Sequence, residues 1–290
     1  MGEKTNLPKN SIMSLQTLDT GFFKLDGGAM FGVVPKPLWH RLNPADEQNR
    51  CTWAMRCLLY EQGNRLLVVD TGIGTKQDAK FFGHYDLHGD STLLSSIRKA
   101  GYTETDVTDV LLTHLHFDHV GGAVQRSGDL LAPVFSNATH WVHPEHWQWA
   151  TNPNPREKAS FLKENILPLQ ESGQLQFLTE HSFPYTDVDL HYVDGHTEKM
   201  ALPLFRINGR IVAYLADLIP SLAHVPLPYV MSYDVRPLLT MDEKTSLLQR
   251  AAAENWILVF EHDPVTEAAT VEMTEKGVRL SETGKLTELL

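Results

Sequence analysis

Cysteine is nearly missing. Cys51 and Cys57 are the only two in 290 residues, too few for a disulfide framework or a thiolate metal site. Both read as small apolar fillers of a buried strand. Basic charge is also scarce, with 25 Lys and Arg against 36 Asp and Glu and a net charge of −11. Without a basic surface for phosphate backbones, nucleic-acid partners are not expected. No run approaches the roughly 20 uninterrupted apolar residues that a membrane-spanning helix needs. Met1 to Asn10 carry no apolar signal-peptide core, so the expectation is a cytoplasmic protein with no membrane partner. Low-complexity tracts, short repeats and long linkers are absent too. The chain therefore reads as one domain, 1–290, in which residues 1–45 are an N-terminal extension that covers the site or contributes to a dimer.

What is present alternates strands with helices. Residues 11–42 read as short extended pieces punctuated by Gly27-Gly28, Pro35 and Pro37. Thr52 to Tyr60 and Arg65 to Asp70 form a hairpin about Gln62-Gly63-Asn64. Residues 91–100 read as a helix ended by Gly101, and 109–113 as a strand. Further strands are expected at 133–135, 139–143, 174–178, 188–193, 201–207 and 210–216. Pro144 opens a helix through Ala150, and 156–166 reads as another. Thr240-x-x-Glu243 has the form of a capping box for a helix to Asn255, followed by strands at 256–261, 269–273 and 277–281. Two groups of strands with helices attached imply sheet packed on sheet, helices outside.

One ten-residue stretch carries the chemistry. Thr113-His-Leu-His-Phe-Asp-His-Val-Gly-Gly122 places His114, His116, Asp118 and His119 within six positions, directly after Val110-Leu111-Leu112. A strand ending in a loop presents such side chains together. Imidazole nitrogen and carboxylate oxygen are the ligands of zinc and similar borderline divalent metals. More ligands should come from polar residues that end later apolar strands. His196 follows Val193-Asp194-Gly195, Asp217 ends Ile211 to Ala216, and His262 ends Ile257 to Glu261. Five histidines and two aspartates suit two metal ions better than one.

His114-x-His116-x-Asp118-His119, followed by His196, Asp217 and His262, resembles the metallo-β-lactamase fold superfamily. Asp70-Thr71-Gly72 matches that superfamily's early turn. More narrowly, the chain resembles the branch of quorum-quenching lactonases and methyl parathion hydrolases. Gly21 to Gly32, Asp217-Leu218-Ile219-Pro220 and Glu261-His262-Asp263-Pro264 carry the narrower match. The resemblance implies an α+β fold, the four-layer αββα sandwich. It further implies a dinuclear centre, with His114, His116 and His196 on one metal and Asp118, His119 and His262 on the other. Asp217 would bridge them together with a hydroxide, and Asp70 would orient the ligands from behind. Two departures stand out. Many relatives read Gly-His-Thr-Pro-Gly where this chain has Gly195-His196-Thr197-Glu198-Lys199. Several acyl-homoserine lactonases place a tyrosine three residues after the bridging aspartate, a position held here by Pro220; Tyr229 or Tyr233 would have to serve from the next loop.

The implied chemistry is hydrolysis. A hydroxide formed on two divalent metals, zinc first with iron, manganese or cobalt as alternatives, attacks a lactone or related ester. Asp118 and Asp217 act as ligands, and the leaving alkoxide takes its proton from metal-bound water or an aspartate. The alternatives are a phosphotriesterase, a mononuclear iron thiol dioxygenase and a non-catalytic binding scaffold. The partner is a small-molecule substrate. Phe22, Phe23, Met30 and Phe31 form an apolar wall over the site or else ordinary core or a dimer contact. His84 lies in a loop that either meets substrate or is solvated. The aromatic segment His140 to Trp149 reads as strand-to-helix packing, with faces that would suit a homodimer.

Overall fold

Neighbouring apolar residues on a strand point to opposite faces, and that alternation builds the layers here. In the computed structural model, which describes residues 13–290, the first sheet contains β1 (Met13–Asp26), β2 (Arg50–Gln62), β3 (Arg65–Val69), β4 (Asp109–Leu111), β7 (Thr139–Val142) and β8 (Leu175–Phe177), adjacent in that order. Between them in sequence, β5 (Val124–Ser127) and β6 (Leu130–Pro133) form a separate hairpin. The second sheet runs β9 (Val188–Val193), β10 (Met200–Ile207), β11 (Arg210–Tyr214), β12 (Ile257–Val259), β13 (Ala268–Thr274) and β14 (Gly277–Gly284). Pairs β3/β4, β4/β7, β7/β8 and β11/β12 are parallel, and the other pairs are antiparallel.

Leu58, Tyr60, Leu67 and Val69 face inward and meet Leu202, Leu204 and Tyr214 of the opposite sheet. Cys57, Leu59, Leu66 and Val68 face outward, beneath Leu93 and Ile97 of the helix at 93–99 and Ile166 and Leu169 of the helix at 163–171. On the far side, the helix Pro237–Glu254 buries Leu247, Leu248 and Ala251 against the second sheet. Each large apolar side chain removed from water contributes about 1.5–3 kcal/mol. The result is helix, sheet, sheet, helix: the four-layer αββα sandwich. Both cysteines are buried and free, and burial pushes the Cys51 thiol up to about 12, so they pack as fillers.

Several elements differ from the expectation. The pieces expected within 11–42 include one long strand, β1, with a bulge between Asp19 and Phe22. The bulge falls at Gly21, whose φ of 93° favours glycine. Pro133 closes the β5–β6 hairpin instead of opening a strand over 133–135. The helix expected at 156–166 starts only at Lys163. The Asn154 side chain accepts the amides of Arg156 and Glu157 and bends the chain into turns first. Thr240 and Glu243 do not form a capping box, because the helix begins a turn earlier at Pro237. Glu243 instead accepts the amides of Asp194 and Gly195, at 2.7 and 3.0 Å, and so holds the loop that carries His196. Among the described residues, no helix is long and apolar enough to cross a membrane. The reading of Met1 to Asn10 lies outside the described residues.

Candidate metal centre

The parallel strand β4 delivers the chain to the rim of the sandwich, where two turns are packed against each other. Asp70 ends β3 with φ 55° and accepts both the amide and the hydroxyl of Thr113, at 2.8 and 2.6 Å. Thr71 donates its amide and hydroxyl to the carbonyl of His119. Backbone lies on backbone here: a Cβ at Gly121 or Gly122 would run into the carbonyl of Ile73 or Thr71. That contact accounts for the Gly-Gly after the histidines. His114 and His116 sit on the loop, while Asp118 and His119 sit on a short helical turn, Phe117–Val120. Leu115 turns back into the outer core.

The later residues arrive at the same rim. Asp217 follows Ala216, whose φ of 40° is costly for an alanine and turns the chain sharply out of β11. His116 Nδ1 lies 3.1 Å from both His114 Nε2 and His196 Nε2. His119 Nε2 and His262 Nε2 are 3.3 Å apart, each 3.8 Å from Asp118 Oδ2. Asp217 joins the groups: its Oδ2 is 3.1 Å from His196 Nε2, and its Oδ1 is 3.0 Å from His262 Nε2. All seven residues predicted from the sequence are buried, in two sets whose ligand atoms lie within 4.8 Å of one another.

Each histidine is aimed by a partner behind it. His114 Nδ1 faces the Thr113 hydroxyl at 3.1 Å, His196 Nδ1 meets Asp234 at 2.9 Å, and His262 Nδ1 donates to the carbonyl of Ala54 at 2.7 Å. His119 Nδ1 faces Asp70 and Glu261, each at 3.1 Å. His116 Nε2 lies 3.4 Å from Glu157. In the neutral rings these partners take the proton, which leaves the lone pairs converging on the centre. Lone pairs that face one another have no proton to share. Nitrogens bound tetrahedrally to zinc at about 2.0–2.1 Å stand about 3.3 Å apart, close to the spacing observed. The buried Asp217 Oδ1 has only His262 Nε2 before it, at 3.0 Å. The donor set therefore fits borderline divalent ions.

Protons compete with such ions. Burial pulls His196 and His262 down, but the Asp217 carboxylate more than reverses it and carries them to about 10 and about 9. Burial also opposes the charge of Asp217, yet His196, His119 and His262 hold it well below the carboxylate range. Both histidine values are raised, so metal-free protein carries these protons below pH 9. Zinc uptake near pH 7.5 is therefore expected to release protons, and affinity should rise as pH climbs towards 9. Titration calorimetry in buffers of different ionisation enthalpy reads this directly; a heat independent of buffer would contradict it.

Above the centre is a cavity of about 450 Å³. His116, Asp118, His196, Asp217 and His262 reach it, Leu25, Met30, Phe117 and Met231 give it apolar walls, and Tyr85, Tyr233 and Arg156 border it. Of the residues expected to meet substrate, Met30 and Tyr233 line this space, whereas Phe22, Phe23, Phe31, His84 and Tyr229 do not. Phe22 and Phe23 point to opposite faces of β1; Phe22 stacks on His88, and Phe23 packs behind His262. Phe31 is sealed between Trp39 and His224, with Tyr229 at its edge. His84 is exposed at the end of the helix 79–83. Sequence reasoning missed Tyr85, Phe117, Arg156, Glu157, Asp234 and the partnership of Glu261 with His119. Only Phe117 and Glu261 carried a signal, their adjacency to ligands.

The sequence model of the Metallo-beta-lactamase superfamily matches residues 56–262, a span that ends on the last of these ligand-type residues. A probable metallo-hydrolase of Mycobacterium tuberculosis is 29% identical over 153 residues, 43% of this chain. That match spans about half, 48%, of the mycobacterial protein. Among solved structures, a probable metal-dependent hydrolase from Staphylococcus aureus superposes with a TM-score of 0.85 at 28% identity, covering 94% of this chain and 96% of that one. AidC, a dizinc quorum-quenching lactonase, superposes with a TM-score of 0.77 at 20% identity, covering 94% and 95%. At 20% identity the likeness is one of fold.

Proposed function

The chain belongs to the metallo-beta-lactamase superfamily, and from that premise we propose that it is a dinuclear metal-dependent hydrolase of lactones or related esters. The observation that carries the reading is Asp217, which faces both clusters: Oδ2 lies 3.1 Å from His196 and 3.5 Å from His119, and Oδ1 lies 3.0 Å from His262. His114, His116 and His196 would hold one ion, Asp118, His119 and His262 the other, and Asp217 both. Two such ions, when bound, supply a water acidic enough to be a nucleophile near neutral pH and a Lewis acid for the oxygen that gains charge.

The chain's own residues do the rest. Asp234, Glu157 and the pair Asp70 and Glu261 fix the rings behind the centre. Met30, Phe117 and Met231 exclude water from the cavity and give an apolar substrate a surface to rest on. Burial pushes the Tyr85 phenol up to about 12 and raises that of Tyr233 further. Both therefore stay protonated at neutral pH and keep an O–H that can donate at the cavity wall.

A panel of γ- and δ-lactones, aryl esters and a paraoxon-type triester tests the reading. Zinc-loaded protein should cleave lactones or esters, lose that turnover on chelation and regain it with zinc. Turnover of the triester alone would move the assignment to phosphotriesters. Oxygen uptake on persulfides without hydrolysis would overturn it.

A further inference from the structure

We infer that His146 is a positioning residue for one ion of the pair. It clamps together the two loops that carry His114, His116 and His196, and it leaves the site of Asp118, His119 and His262 to other supports. The inference rests on the dinuclear reading above and adds that the two sites are held independently.

The segment His140 to Trp149 packs strand against helix, but packing does not account for His146. Pro144 opens the helix Pro144–Thr151. Two residues on, His146 is fully buried at the rim beside the His114 ring, 6.2 Å between centroids. Both of its nitrogens are committed to backbone. Nε2 accepts the amide of Leu115 at 2.9 Å, between two ligands of the first loop. Nδ1 faces the carbonyl of Glu198, two residues after His196. An amide N–H can only donate and a carbonyl can only accept. One neutral tautomer, protonated on Nδ1, therefore satisfies both partners. Burial keeps the ring neutral by pulling it down to about 3. His146 could bind an ion only by giving up the Leu115 amide, so it acts on the centre through the backbone.

The two ends of the clamp are unequal. Leu115 is fully buried, so its amide has no water to turn to, whereas Glu198 is half-buried. Losing the acceptor for Leu115 should matter more than losing the donor to Glu198. The other site has its own anchors. Thr71 donates its amide and hydroxyl to the carbonyl of His119 at 2.7 and 2.8 Å, and His262 donates its amide to the carbonyl of Pro220 at 2.8 Å. Neither bond of His146 reaches these segments.

Cobalt titration of metal-depleted protein, followed by visible absorption, tests the inference. His262→Ala supplies the spectrum of the His114, His116 and His196 site filled alone, and His196→Ala that of the other. Wild type should fill both. His146→Ala should need about 10- to 100-fold more cobalt to develop the bands of the clamped site, the range for losing a group that aims a ligand. The other site should fill as in wild type. His146→Gln places an oxygen where Nε2 accepts and should recover most of the affinity. His146→Asn places a donor where Nδ1 stands, leaves the Leu115 amide unmatched, and should not. Equal weakening of both sites, or equal rescue by Gln and Asn, would show that His146 only fills space and would overturn the inference. So would wild-type affinity at the clamped site in His146→Ala. If His146→Ala does not fold, the contrast between Gln and Asn decides alone. Wild type that takes up fewer than two cobalt ions would instead remove the dinuclear reading, and this inference with it.

Discussion

Asp217→Ala is expected to remove bound metal and hydrolysis together. Altering a residue that merely orients a ligand lowers metal affinity or activity by about 10- to 100-fold. Asp217 faces both clusters, so its loss should exceed about 100-fold in kcat/KM and leave substoichiometric metal. The same change removes the negative charge that raises His196 and His262. Their protons should then leave near the ordinary imidazole range, and any residual zinc uptake at pH 7.5 should release fewer of them. Asp217→Asn keeps the shape without the charge and should fail in the same way. Metal content and turnover at wild-type levels in either variant would contradict the shared-ligand arrangement.

Asp109→Ala should give the largest loss of stability without touching the chemistry. This carboxylate in β4 is fully buried and gathers five donors. Arg65 gives it Nε and Nη2 at 3.1 and 2.7 Å, Trp141 Nε1 approaches at 2.8 Å, the Tyr185 hydroxyl at 2.9 Å and the Thr108 hydroxyl at 2.6 Å. Removing one partner of a buried pair leaves the others desolvated and unmatched, a cost of about 3–5 kcal/mol. For a chain of this size that corresponds to a fall in Tm of roughly 10 °C. Metal content per folded molecule should stay at the wild-type value. A loss below about 1 kcal/mol in denaturant titrations would show that the network contributes little.

Much of the centre was legible because its residues follow strands. His196, Asp217 and His262 each end or follow an apolar strand, and a polar side chain that ends a buried strand must either surface or bind. His114 to His119 need no such inference, since four ligand-type side chains in six positions mark themselves. The two-sheet layering was legible because the strands fall in two groups with helices attached; in the structure Leu58-Leu59 and Leu67-Val68 feed both faces of the first sheet.

Residues held by tertiary contacts were not legible. Asp234 and Glu157 lie in turns with no periodic pattern, and only the fold brings them behind His196 and His116. Thr240-x-x-Glu243 has the right local form for a helix start, but Pro237 begins the helix earlier and Glu243 serves the His196 loop. Phe23 and Phe31 take the core alternative of the expected aromatic wall, turned inward by a strand and a short helix, while Phe22 faces the other side of β1 and stacks on His88. Arg156 gave no signal at all, since a lone arginine in a polar turn looks like solvated surface.

Whether two ions share Asp217 is read by elemental analysis of protein purified from zinc-supplemented medium. Active wild-type protein should carry two divalent ions per chain, both of them lost in Asp217→Ala. A single iron per chain, retained in Asp217→Ala, would contradict that sharing.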